Sequence, residues 1–199
     1  AHTDELAPDD TPQPNADNDA DPVYLALSVT DEALSLELLS ALENIGARAT
    51  FLFTEKELAE SGDLLRRLSV VGSAVALKVD ASAGGGRTVA AIERANDALW
   101  TACNRKTRLV LLENAADETV RAVQNAGYCP IVFDLDYSAG LPSVSRAVSA
   151  MQRATRGCTV LLGDDTSVQE DWTSLLTRLH ANGLPITALN ELSARGSAS

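Results

Sequence analysis

The strongest constraint on the fold is a repeated alternation. Short apolar runs are each followed by a polar break and then by a longer segment with apolar residues at helical spacing. Val23–Val29 is the first run. Thr30 and Asp31 follow, residue types that cap helices. Leu34, Leu38, Leu39, Leu42 and Ile45 then fall at helical spacing, and Gly46 stops the helix. The pattern continues with a strand at Arg48–Phe53, a helical stretch at Glu55–Val71 interrupted near Gly62, and a third strand at Ser73–Val79. Gly84, Gly85 and Gly86 predict a loop before a long helix from Thr88 to Cys103. Arg108–Leu112 is the fourth strand, Asp117–Ala126 a helix, Ile131–Leu135 the fifth strand and Val144–Thr155 a helix. Thr159–Leu162 is the sixth strand, Ser167–Ala181 a helix, and Pro185–Ala188 a short seventh strand before a terminal helical turn.

Strand–helix repetition of this kind gives parallel strands joined by right-handed crossovers. Seven such units either close into a barrel or form an open doubly wound sheet, and periodicity alone does not choose. In both, chemistry belongs at the C-terminal ends of the strands.

Charge separates the chain into two regions. Residues 1–22 hold seven acids (Asp4, Glu5, Asp9, Asp10, Asp17, Asp19, Asp21), no Lys or Arg, and four prolines. Such a segment buries too little apolar surface to offset its ordering entropy. It reads as a disordered acidic linker ahead of a single domain at 23–199, either a spacer that holds the domain away from a membrane tether or an ordinary loose terminus. The rest of the chain carries 21 acids against 16 bases within a net charge of −12. With no basic stripe, nucleic acid is excluded as a partner. No run is long enough to span a bilayer, so membrane attachment is expected only through a tether preceding the chain. Cys103, Cys129 and Cys158 fit no zinc spacing. They read as three small core residues, with a Cys129–Cys158 bond the alternative if their strands are neighbours.

Leu25–Val29, followed by Gly46-Ala47-Arg48-Ala49-Thr50-Phe51-Leu52-Phe53-Thr54, resembles the opening of the polysaccharide deacetylase family, also known as the NodB-homology or carbohydrate esterase family 4 domain. Gly72, Gly127-Tyr128, Asp136, Gly157–Leu162 and the closing Gly183…Thr187–Leu192 extend the resemblance over Val23–Leu192. It implies a distorted (β/α)7 barrel of parallel strands with outer helices. It also implies metal-assisted deacetylation of glycans, with one Asp and two His on a divalent metal, a second Asp as general base and a late His as general acid.

Placed residue by residue, that chemistry is largely missing. The family's T-F-D-D-G falls on Ser28-Val29-Thr30-Asp31-Glu32, so the general base becomes Thr30 and the metal-binding Asp survives as Asp31. The H-x-x-x-H pair falls on Lys78 and Ser82, and the R-P-P-Y-G motif has no counterpart near Leu109–Ala115. D-x-x-D-W reads Asp136-Tyr137-Ser138-Ala139-Gly140, and the late L-x-H reads Leu161-Leu162-Gly163. The whole chain has two histidines, His2 and His180, so no alignment supplies three. The catalytic set and the family zinc site are therefore expected to be lost.

Asp31, Asp80, Glu113, Asp136 and Asp164, with Asp165, follow predicted strands and cluster on one rim if the barrel is right, with Lys78 near the end of the third strand beside them. Such a rim suits weak calcium or magnesium, or a cationic ligand. The alternative is that the acids cap helix N-termini, with Lys78 paired to Asp31 in place of the metal's charge. The glycine loop offers backbone N–H groups to an anion but lacks the Lys-Ser/Thr of a P-loop. Trp100 and Trp172 sit at helical positions that favour packing over sugar stacking. The expectation is a non-catalytic, extracytoplasmic deacetylase-like domain of a bacterial envelope. It would be structural, or bind a glycan or an envelope protein. The rival is a divergent hydrolase of a cell-wall polysaccharide with a relocated site.

Overall fold

The computed structural model describes residues 20–154, 157–163 and 169–196. The elements alternate as the sequence predicts. In chain order they are β1 (Val23–Ser28), α1 (Glu32–Asn44), β2 (Thr50–Phe53), α2 (Glu55–Glu60), α3 (Gly62–Val71), β3 (Ala74–Asp80), α4 (Gly85–Cys103) and β4 (Leu109–Glu113). The second half holds α5 (Asp117–Asn125), β5 (Cys129–Pro130), β6 (Leu135–Tyr137), α6 (Val144–Arg153), β7 (Cys158–Gly163), α7 (Gln169–Ala181), β8 (Ile186–Thr187) and α8 (Glu191–Ala194). Every strand pairing is parallel. The order β5-β4-β3-β2-β1-β7-β6, with β8 on β1, gives a curled half-barrel open between β5 and β6. This settles the choice left open by periodicity in favour of the distorted barrel.

Alternation along the strands builds two cores. Val23, Leu25 and Leu27 of β1 pack outward with Phe51, Phe53, Leu77, Val110 and Val160 against helix residues such as Leu38, Leu39, Leu64 and Ile92. Their neighbours face inward: Ala26, Leu52, Ala76, Leu109 and Leu161 form a smaller cluster closed below by Leu189 and Ala194. Alanines at the centre of β1 and β3 leave room for the sheet to curl. Phe51 and Phe53 are completely buried, so truncating either to alanine costs about 3–5 kcal/mol.

The ends of the helices are fixed by particular side chains. Asp31 caps α1, accepting from Leu34 N at 2.9 Å. Thr54 and Glu57 form a capping box on α2. Ser61 gives α3 no side-chain cap; instead Glu32 of α1 accepts from Leu64 N at 2.9 Å and ties the two helices together.

Two expectations are corrected, and one alternative is set aside. The fifth strand is not Ile131–Leu135 but two short pieces, β5 and β6, so the sheet has eight strands. Between them the chain leaves β4 and crosses the open seam: Val132 N donates to Ala194 O at 2.8 Å and Asp134 N to Thr159 O at 3.0 Å. Thr159 and Asp134 also bond through their side chains, at 2.9 Å. Gly85 and Gly86 lie in the first turn of α4 rather than in a loop. A Cβ on Gly85 would sit 2.6 Å from Ala122 Cβ, so the glycine lets α4 approach α5. Lastly, β5 and β7 are not neighbours. Cys129 lies in the inner core and Cys158 in the outer core, and all three thiols are free. Burial, with a smaller contribution from Asp134, pushes the Cys158 thiol up to about 11.

Candidate functional site

The strand C-termini converge at the mouth of the half-barrel, and the inward residues there follow from the alternation below them. Ser28 lies two residues beyond Ala26, Lys78 two beyond Ala76, and Glu113 four beyond Leu109, all on the inner face. The register sets Lys78 beside Leu111 and Asp80 beside Glu113 on the adjacent strand. Lys78 Nζ donates to Ser28 Oγ at 3.2 Å and lies 3.6 Å from Glu113 Oε1. Ser28 is buried, while the Lys78 and Glu113 side chains are 23% and 46% exposed.

The carboxylate that meets Lys78 is thus Glu113, one register step further out on β4, and not the expected Asp31, whose Oδ1 is drawn to the N-terminus of α1. The other rim acids are engaged in local turns. Asp80 accepts from Ser82 N at 3.0 Å. Hydrogen bonds from the Ser82 backbone, then the Ser82 side chain, and to a lesser degree from Asn114, hold its carboxyl below the usual range. Asp136 accepts from Ser138 N at 2.9 Å and from Ser138 Oγ at 2.6 Å. Asp164 and Asp165 lie outside the described residues. The capping reading therefore fits Asp31, and short Asx-type turns account for Asp80 and Asp136.

The residues present do not fit the divalent metal that the resemblance implies. By the motif placement Lys78 and Ser82 take the positions of two imidazole ligands, and the Lys78 ammonium donates to Ser28 instead. Among the described residues, no three His, Cys, Asp or Glu side chains are grouped so as to hold a metal ion. His180 is exposed in the last turn of α7, beside a small cavity lined by Ile45–Ala47 and Leu184–Ile186 at the opposite end of the barrel. His2 lies outside the described residues. A Cβ on Gly163 would come 2.5 Å from Ser138 O, so the turn after β6 packs directly against the backbone at the end of β7. Sequence reasoning missed both this contact and Ser28. The alternation from Ala26 signals the inward Ser28, but nothing local announces the approach of Ser138 to Gly163.

No family model matches the sequence, and no curated protein matches it. Solved structures do match. A family 4 carbohydrate esterase from Streptomyces lividans superposes with a TM-score of 0.75 at 20% identity, over 89% of this chain and 97% of the esterase. The fold is that of the family 4 carbohydrate esterases. A second family 4 match is a pseudoenzyme from Bacillus anthracis, with a TM-score of 0.73 at 17% identity over 89% of this chain and 66% of the other. The peptidoglycan deacetylase PdaC from Bacillus subtilis has the family 4 fold too, with a TM-score of 0.74 at 15% identity over 87% and 90% of the two chains.

Trp172 is buried in the outer core, whereas Trp100 is half exposed on α4. Neither is on a strand end, and the packing role holds for Trp172. No helix among the described residues is long and apolar enough to cross a membrane.

Proposed function

We propose that this chain is a non-catalytic domain built on the family 4 scaffold, acting outside the cytoplasm of a bacterium as a glycan-binding, protein-binding or structural module. The observation that carries the reading is the Lys78 ammonium, held between Ser28 and Glu113 on the inner face of the mouth. By the motif alignment it replaces a metal-binding imidazole with a fixed positive charge. That charge repels a divalent cation, so no water is activated by a metal, and Thr30 offers no carboxylate to take a proton. The Ser138–Gly163 contact leaves little room for a side chain at the position that the motif placement gives to the general acid, which supports the reading. Two kinds of structural neighbour support the setting. PdaC is described as a peptidoglycan deacetylase, and the B. anthracis protein as a family 4 pseudoenzyme. A polymer of the envelope is thus the leading ligand class and the envelope the leading location.

Zinc and cobalt titrations of chelator-treated protein test the reading by calorimetry, alongside an assay of acetate release from N-acetylglucosamine oligomers. No binding in the micromolar range and no acetate are expected. Tight one-to-one binding, or sustained deacetylation, would overturn the proposal in favour of a hydrolase with a relocated site.

A further inference from the structure

The end of the barrel opposite the mouth carries a feature that the preceding reading does not use. A cavity of about 370 Å³ lies beside α5 and β5, next to the residue that follows α8. Val120, Pro130 and Val132 line it with apolar surface, and Arg108, Gln124 and Arg195 supply polar groups. A neighbouring cavity of about 500 Å³ shares Arg108 and Tyr128, so the recess continues toward α4. Its volume lies in the range of about 300–1,000 Å³ typical of small-molecule sites, where apolar walls carry a few fixed polar groups.

The two guanidinium groups set the chemistry. Arg108 is held in place: its Nε donates to Gly127 O at 2.7 Å, and its Nη1 lies 3.0 Å from Glu191 Oε1. Its Nη2 is left over by these bonds. Arg195 is exposed and makes no ion pair among the described residues. One anchored and one unpaired guanidinium on an apolar recess is unusual in a chain whose net charge is −12. Guanidinium forks match the planar geometry of a carboxylate, and the valines and the proline match an apolar body attached to it.

We propose that this recess is a binding site for a small organic monocarboxylate with an apolar body, anchored by Arg108 and Arg195. It lies at the N-terminal end of the strands, away from Lys78, and so works independently of the mouth.

The test is a fluorine NMR titration of the whole chain with 4-fluorobenzoate. The expected result is a saturable shift, weakened about tenfold by Arg195→Gln, the loss of one charge-assisted contact. Val120→Trp, which fills the recess, should abolish the shift, and Lys78→Ala should leave it unchanged. Neutral 4-fluorobenzamide should respond far more weakly. Arg108→Gln also loosens α8 through Glu191, so the exposed Arg195 is the decisive variant. The absence of saturation by about 10 mM, an equal response to the amide, or undiminished binding in both Arg195→Gln and Val120→Trp refutes the site.

Discussion

Replacing Lys78 by methionine keeps its aliphatic stem and removes its charge. At 3.6 Å from Glu113, the Coulomb attraction is worth about 1.2 kcal/mol in bulk water and about 4.6 kcal/mol at an effective dielectric of ~20. Exposures of 23% and 46% place the pair near the aqueous limit. A coupling of about 1 kcal/mol is therefore expected once the cost of ordering the side chains is counted. Ser28 also loses its donor while remaining buried, which adds about 1 kcal/mol. Lys78→Met should thus lower stability by about 2 kcal/mol, and a domain of this size should melt about 4–8 °C lower. The assay is a double-mutant cycle with Glu113→Gln by urea denaturation, repeated at high salt, where the coupling should shrink. A coupling below about 0.3 kcal/mol at low salt would refute the idea that the Lys78–Glu113 pair stabilises the mouth.

Two further outcomes follow from the packing. The Cys158 thiol is raised to about 11 by burial, against 9.0 for an unperturbed thiol. The folded state therefore keeps a proton that the unfolded chain gives up, and the stabilisation is complete below pH 9 and is lost as pH rises toward 11. Tyr137, raised mainly by burial, acts in the same direction; denaturant titrations across this window should show a shallower decline in Cys158→Ala than in the parent. In Gly85→Ala the new Cβ meets Ala122 Cβ at 2.6 Å; the clash should cost about 1–3 kcal/mol, and Ala122→Gly should recover most of it. A Gly85→Ala chain as stable as the parent would show that α4 can shift freely.

The fold was legible because its information is local and repeated. Leu34, Leu38, Leu39 and Leu42 declare a helix face, and Phe51 and Phe53 with Leu52 between them declare a strand buried on both sides. The seam was not legible. Ile131 and Phe133 give a strand pattern, but Val132 bonds to Ala194 and Asp134 to Thr159, which are distant in sequence. Gly85 looked like a loop glycine because its role is set by a neighbour on another helix. At the mouth, motif placement marked Lys78, and position after a strand marked Glu113, as rim residues. Their pairing depends on strand register, which sets Lys78 beside Leu111 and brings Glu113, two residues further on, to 3.6 Å.

The position of β1 also sets an order of assembly. It comes first of all the strands, yet it sits inside the sheet, flanked by β7 on one side and by β2 and β8 on the other. Val23 N reaches Pro185 O at 2.7 Å, and β8 pairs with Val23 and Tyr24 just below where β2 begins. During synthesis at roughly 5–20 residues per second, one edge of β1 therefore waits on the order of ten seconds or more for its permanent neighbour. Until then an apolar strand stands as an open template for other chains. A truncation before β7 should therefore be recovered as aggregate rather than as a smaller domain.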